Sequence, residues 1–165
     1  MCGMPAPSLP GGGVVRTGGD DRTGVRAVDH RGTGDPGDLR ARNEYRGDAG
    51  TIGAARDAAA AYATALQVTS PAATPDARDN LLLVVSELVT NAVRHAPGRC
   101  ALELSHQPGA VVVEVSDTSS RPPRFRPADF TGGGGFGWPL VHRLAAEVNV
   151  VVRAGGKDVR VLLPW

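Results

Sequence analysis

Aromatic side chains are scarce in this sequence, at 4% of 165 residues against 41% hydrophobic overall. A core of that kind has to be assembled from Val, Leu and Ala, and its size suits one ordinary domain. Cysteine is nearly absent. Cys2 and Cys100 make neither a disulfide framework nor a zinc-ligand spacing, which fits a reducing cytoplasm. Charge of one sign is lacking too. With a formal net charge of +1, no electrostatic signal points to nucleic acid or to an anionic membrane. No apolar run approaches the roughly 20 residues of a membrane span, and no apolar stretch follows a basic start as in a signal peptide. The expectation is a soluble cytoplasmic domain with no direct nucleic-acid partner and no membrane contact.

What is present divides the chain in two. Residues 1–46 hold ten of the 22 glycines, with interleaved Arg and Asp and no apolar periodicity. Such a stretch cannot bury enough surface to offset the entropy of ordering, and it reads as a disordered leader before a domain at 47–165. From Thr51 the pattern changes. Ile52, Ala55, Ala59, Tyr62 and Leu66 recur at helical spacing, predicting a helix to about Val68. Thr74, Pro75 and Asp76 then suit the start of a second helix, running to about Ala96 before Pro97 and Gly98. Alternating segments at 100–106 and 110–117 predict a hairpin. A Pro-, Arg- and Gly-rich connection over 118–135 follows, long enough to suggest a functional loop. A third helix is expected over "GWPLVHRLAAEV" from Gly137, then a second hairpin around "GGK". Two helices, two strands, a lid, a helix and two strands predict an α+β two-layer sandwich, with a mixed, mostly antiparallel sheet covered on one face by three helices.

The second helix carries an unusual stripe. In "SELVTNAVRHA" (86–96), Glu87, Asn91 and His95 stand four residues apart, on nearly the same helical face. Leu81, Val84, Val85, Leu88, Val89, Ala92 and Val93 make the core side. A solvated face is the ordinary fate of a polar stripe. Asn, however, competes with the helical backbone for hydrogen bonds, and the Lys and Glu that usually decorate a solvated face are nearly missing. Two other segments point the same way. Asp117 ends a Val-rich strand, where a side chain can project into a pocket mouth. The run "TGGGGFGW" places glycines directly before a helix start, where backbone N–H groups and the helix dipole favour an anion.

This ordered set, E-x-x-x-N-x-x-x-H on a helix, a strand ending V-S-D, a Gly-rich lid and a GGK hairpin, resembles the Bergerat-fold ATPases. Within them, "VVSELVTNAVRHA" and "VEVSDTSSRPPR" are most similar to the anti-sigma-factor serine-kinase branch, over roughly residues 50–164. The resemblance implies ATP and Mg²⁺ as ligands. It implies Glu87 as the base that takes a proton from the attacking hydroxyl, and Asn91 as the amide-oxygen ligand of Mg²⁺. Asp117 is implied as the acceptor for the adenine amino group, and Gly133, Gly134, Gly135 and Gly137 as the phosphate cradle. His95 and Arg94 are implied either as phosphate contacts or as a favourable helix end. The implied partners are a sigma factor and an anti-anti-sigma protein whose serine receives the γ-phosphoryl group, and homodimerisation is a further family expectation.

Three positions depart from the family pattern. Ser119 stands where other branches have glycine. Asp158 follows Lys157 where Thr is usual, so a second carboxylate is expected to repel Asp117 and weaken adenine binding. Phe136 stands where the lid usually carries a basic residue. Two readings therefore stay open at this level: an ATP-dependent serine kinase, and a catalytically inactive module of the same fold that regulates by contact alone. A histidine kinase or gyrase-like role lacks the accompanying segments.

Overall fold

In a computed structural model, which describes residues 39–96, 98–123 and 137–165, the elements in chain order are β1 (Arg40–Tyr45), α1 (Thr51–Thr69), α2 (Ala77–His95), β2 (Cys100–Gln107), β3 (Ala110–Asp117), α3 (Gly137–Leu144), β4 (Glu147–Arg153) and β5 (Gly156–Pro164). The strands form one sheet in the order β1-β2-β3-β5-β4. Every described pairing is antiparallel. The two expected hairpins are present, closed through Gly109 and Gly155 at φ of +74° and +82°, a region where only glycine is free of Cβ strain. β3 and β5 join them in the middle of the sheet.

Period-two alternation decides which face of this sheet is dry. Leu102 and Leu104 of β2, Val113 and Val115 of β3, and Val159 and Val161 of β5 are all buried. The residues between them, Glu103, Glu114 and Arg160, are half-buried or exposed. The helices supply the other half of the core: Ala55, Ala59, Tyr62 and Leu66 from α1, and Leu81, Val84, Val85, Leu88, Val89 and Ala92 from α2. Val93 packs only partly against the core. The architecture is the expected α+β arrangement of helices on one side of a sheet. Each fully buried leucine in this core contributes about 1.5–3 kcal/mol.

Two expectations need correction. The disordered leader does not extend to residue 46, because Arg40–Tyr45 pairs with β2 in a six-residue ladder from Arg40↔Ser105 to Tyr45↔Cys100. Ala41, Asn43 and Tyr45 turn inward, with Arg40, Arg42 and Glu44 outward. The inward set, one small, one polar and one aromatic residue, is too short and mixed to announce a strand, and the partner strand supplies what it lacks. Residues 1–38 lie outside the described residues. The third helix, in turn, stops at Leu144 instead of running through Ala145, Ala146 and Glu147. The Ala145 N–H still reaches back to Val141 O, but that of Ala146 donates to Leu162 O at 2.8 Å. Pairing of Glu147–Arg153 with β5 overrides the helix propensity of the two alanines.

Candidate functional site

Asp117 sits at the last position of β3, on the face toward the helices. Its side chain is only 3% exposed. Directly across the ladder stands Lys157 of β5, whose Nζ lies 2.8 Å from Oδ1 and 2.6 Å from Oδ2 of Asp117. Oδ1 also accepts the Ser119 backbone N–H at 2.8 Å. The position where other branches carry glycine thus contributes its N–H to holding the carboxylate. A buried pair of this kind is held by mutual need. Removing one partner leaves an uncompensated charge in a dry place, at a cost of about 3–5 kcal/mol.

The second carboxylate lies on the other side. Asp158 pairs across from Ser116, so its side chain leaves the opposite face of the sheet. It accepts the Ser116 hydroxyl at 2.5 Å and is ion-paired to Arg153. Burial acts to raise the Asp158 carboxyl, but these hydrogen bonds and the Arg153 charge outweigh it and hold the pKa below the usual carboxylate range. The expected repulsion between Asp158 and Asp117 is therefore absent, because adjacent strand residues point to opposite faces. The parity of β5 carried the signal. Val159 and Val161 face the core, so Lys157 must face it too, and Asp158 cannot. Lys157 is the site residue that sequence reasoning passed over.

Gly156 shows how closely the hairpin is drawn to Asp117: a Cβ there would overlap the Asp117 carbonyl oxygen. Cys100 is buried nearby, its thiol pKa raised by desolvation and by the charge of Asp117.

Along α2 the polar stripe divides. Glu87 and Asn91 are half-buried, whereas His95 is exposed in the last turn beside Arg94. Glu87 is brought to the start of α3, where a Cβ on Gly137 would overlap its carboxylate. Glycine at 137 is what lets the helix start approach the acid. Leu81, Leu88 and Ala92 on the dry side of α2 fix the helix rotation that aims Glu87 there. Gly133, Gly134, Gly135, Phe136, Arg124 and Arg126 lie outside the described residues. Arg121 is exposed. Among the described residues no group of three or more His, Cys, Asp or Glu gathers to hold a metal. No helix among them is long and apolar enough to cross a membrane.

The model of the histidine kinase-like ATPase domain family matches residues 45–163. The chain belongs to that family. Among solved structures, this ATPase domain resembles the RsbU and RsbW domains of Rv1364c from Mycobacterium tuberculosis, at a TM-score of 0.53 and 17% identity. That match covers 76% of this chain and 32% of the other, so the domain spans about a third of that relative. At such identity the likeness is one of fold. The histidine kinase domain of a blue-light activated histidine kinase from Erythrobacter litoralis matches with a TM-score of 0.42 and 23% identity, over 66% of this chain and 60% of that one. No curated protein matches the chain.

Proposed function

We propose that this ATPase-type domain binds Mg-ATP on the helix side of the sheet, between Asp117 and the start of α3. The domain then acts as a serine kinase on an anti-anti-sigma partner and also contacts a sigma factor in the cytoplasm. Membership of the histidine kinase-like ATPase family supports ATP as the ligand. The likeness of "VVSELVTNAVRHA" and "VEVSDTSSRPPR" to the anti-sigma-factor serine-kinase branch motivates the choice of partners, and the fold shared with the RsbU and RsbW domains of Rv1364c is in keeping with it. The observation that carries the reading is Glu87, held half-buried against the glycine that opens α3.

The residues present suit these ligands. Among the described residues Asp117 bonds Ser119 and Lys157, which leaves one carboxylate lone-pair position to accept a hydrogen bond from an exocyclic amine. Asn91 is an oxygen donor of the kind Mg²⁺ takes singly when phosphates and waters complete its shell. When bound, the ion neutralises charge on the phosphates. The Gly133–Gly135 run and Gly137 would cradle those phosphates through backbone N–H groups, with His95 at the far end of the stripe as a further phosphate contact.

In the transfer itself, Glu87 takes the proton of the serine hydroxyl as its oxygen bonds to the γ-phosphorus. The bond from that phosphorus to the bridging oxygen breaks, and ADP leaves. The test uses the full chain. Glu87→Gln is expected to bind Mg-ATP with unchanged affinity while losing transfer to the serine partner by at least about 100-fold. Asn91→Ala is expected to lose the Mg²⁺-dependent part of ATP binding. Full transfer by Glu87→Gln would remove the base assignment.

A second reading has one observation behind it. Lys157 already engages the Asp117 carboxylate, which suits a module that regulates by contact alone. A wild-type chain that fails to bind Mg-ATP in calorimetry would establish that reading over the first.

A further inference from the structure

Of the 18 lysine and arginine positions in the chain, only Lys157 is lysine. Everywhere else the sequence uses the broad guanidinium fork. Here it uses a compact ammonium with three donors, and it buries it, with the side chain 6% exposed. A counter-ion for Asp117 needs one or two of those donors. Among the described residues the third meets only the Ser119 carbonyl oxygen, at 3.5 Å, the far limit of a hydrogen bond.

The carboxylate has a matching surplus. Of about four lone-pair positions, Oδ1 spends two on Ser119 N–H and Lys157, and Oδ2 spends one on Lys157. An acceptor on Oδ2 and a weakly held donor on Nζ thus lie side by side, 2.6 Å apart. The spacing is held in place. The β3–β5 register puts the two residues opposite each other, and Gly156 presses the hairpin onto the Asp117 carbonyl.

Resting on the nucleotide-binding reading above, we propose that Lys157 is a base-reading residue as well as the counter-ion of Asp117. The carboxylate accepts from the exocyclic amine of adenine while the ammonium donates to the adjacent ring nitrogen, N1. An acceptor beside a donor is complementary to that edge. Guanine in the same pose sets its carbonyl oxygen against the carboxylate and its ring N–H against the ammonium, so both contacts are repulsive. Discrimination then comes from two points, and a site built to hydrogen-bond a base rejects analogues that leave its polar groups unpaired.

The test is calorimetric titration of the full chain, with Mg²⁺ present, using ATP and 1-deaza-ATP, in which a C–H replaces the N1 acceptor. Wild type is expected to bind 1-deaza-ATP at least about tenfold more weakly than ATP, the size of a lost hydrogen bond to a charged donor. Lys157→Met is expected to bind the two nucleotides within about twofold of each other. Equal binding of both by wild type would reduce Lys157 to a counter-ion and overturn the inference. Binding of neither would overturn it together with the nucleotide reading of the site, an outcome that the ATP titration alone identifies. If Lys157→Met does not melt cooperatively, the wild-type comparison decides the matter.

Discussion

Gly137 and Glu87 meet so closely that a β-carbon on the glycine would overlap the Glu87 carboxylate. The atoms in the way are the far end of a flexible side chain, so alanine at 137 can be accommodated if Glu87 swings aside. Gly137→Ala is therefore expected to change thermal stability by no more than about 1 kcal/mol. On the proposed assignment of Glu87 as the proton acceptor, it should nevertheless lower phosphotransfer by at least about tenfold, because a misplacement of about 1 Å is costly. Melting curves and turnover measured on one preparation check both halves. A variant that melted far lower would show that Glu87 is locked in place by more than this contact.

Tyr45 ends β1 with its hydroxyl buried and without a hydrogen-bond partner among the described residues. Desolvation first, and the neighbouring Cys100 second, push its pKa up to about 12 from 10.0. The folded state therefore favours the neutral phenol. That contribution to stability is fully present below about pH 10 and is lost as pH rises from 10 toward about 12. Tyr45→Phe removes the titration, so denaturant unfolding of the variant should be flatter than wild type over that interval. At pH 7 the variant should be more stable by on the order of 1 kcal/mol, since an unsatisfied buried hydroxyl is relieved. A steeper alkaline loss in the variant would show that the phenol is solvated.

Truncation separates the strand from what precedes it. A chain beginning at Leu39 keeps β1 and the Leu39 carbonyl that accepts the Tyr62 hydroxyl at 3.0 Å. A chain beginning at residue 47 loses both, uncovers β2 along its whole outer edge, and takes Ala41 and Tyr45 out of the core. The shorter chain is expected to melt at least about 10 °C below the longer one and to aggregate through its exposed edge. Equal melting temperatures would mean that β1 contributes nothing to the fold.

Much of this architecture was legible in the residues. Helix faces on α1 and α2 followed from apolar spacing, because a helix buries one stripe and the stripe is written at 3.6-residue intervals. The two hairpins followed from alternation and from glycines at their turns. The proposed stripe was legible for a different reason: Asn91 is a poor helix residue, and the stripe lacks the Lys that usually decorates a solvated helix face. Strand β1 was not legible, since its three inward positions, one small, one polar and one aromatic, make no pattern strong enough to stand alone.

Local periodicity by itself determined which side of each element is apolar, and so the α+β class and the α2 stripe; these depend only on chain geometry. Pairing between distant segments decided the rest. Residues 40–45 became a strand only against β2, and α3 ended where Ala146 found Leu162 across the sheet. The β3–β5 register then set Lys157 against Asp117 and Asp158 against Ser116, and the β4–β5 hairpin brought Arg153 to Asp158. A shift of one residue in that register would exchange the two faces, and no local feature of either strand specifies which partner it meets.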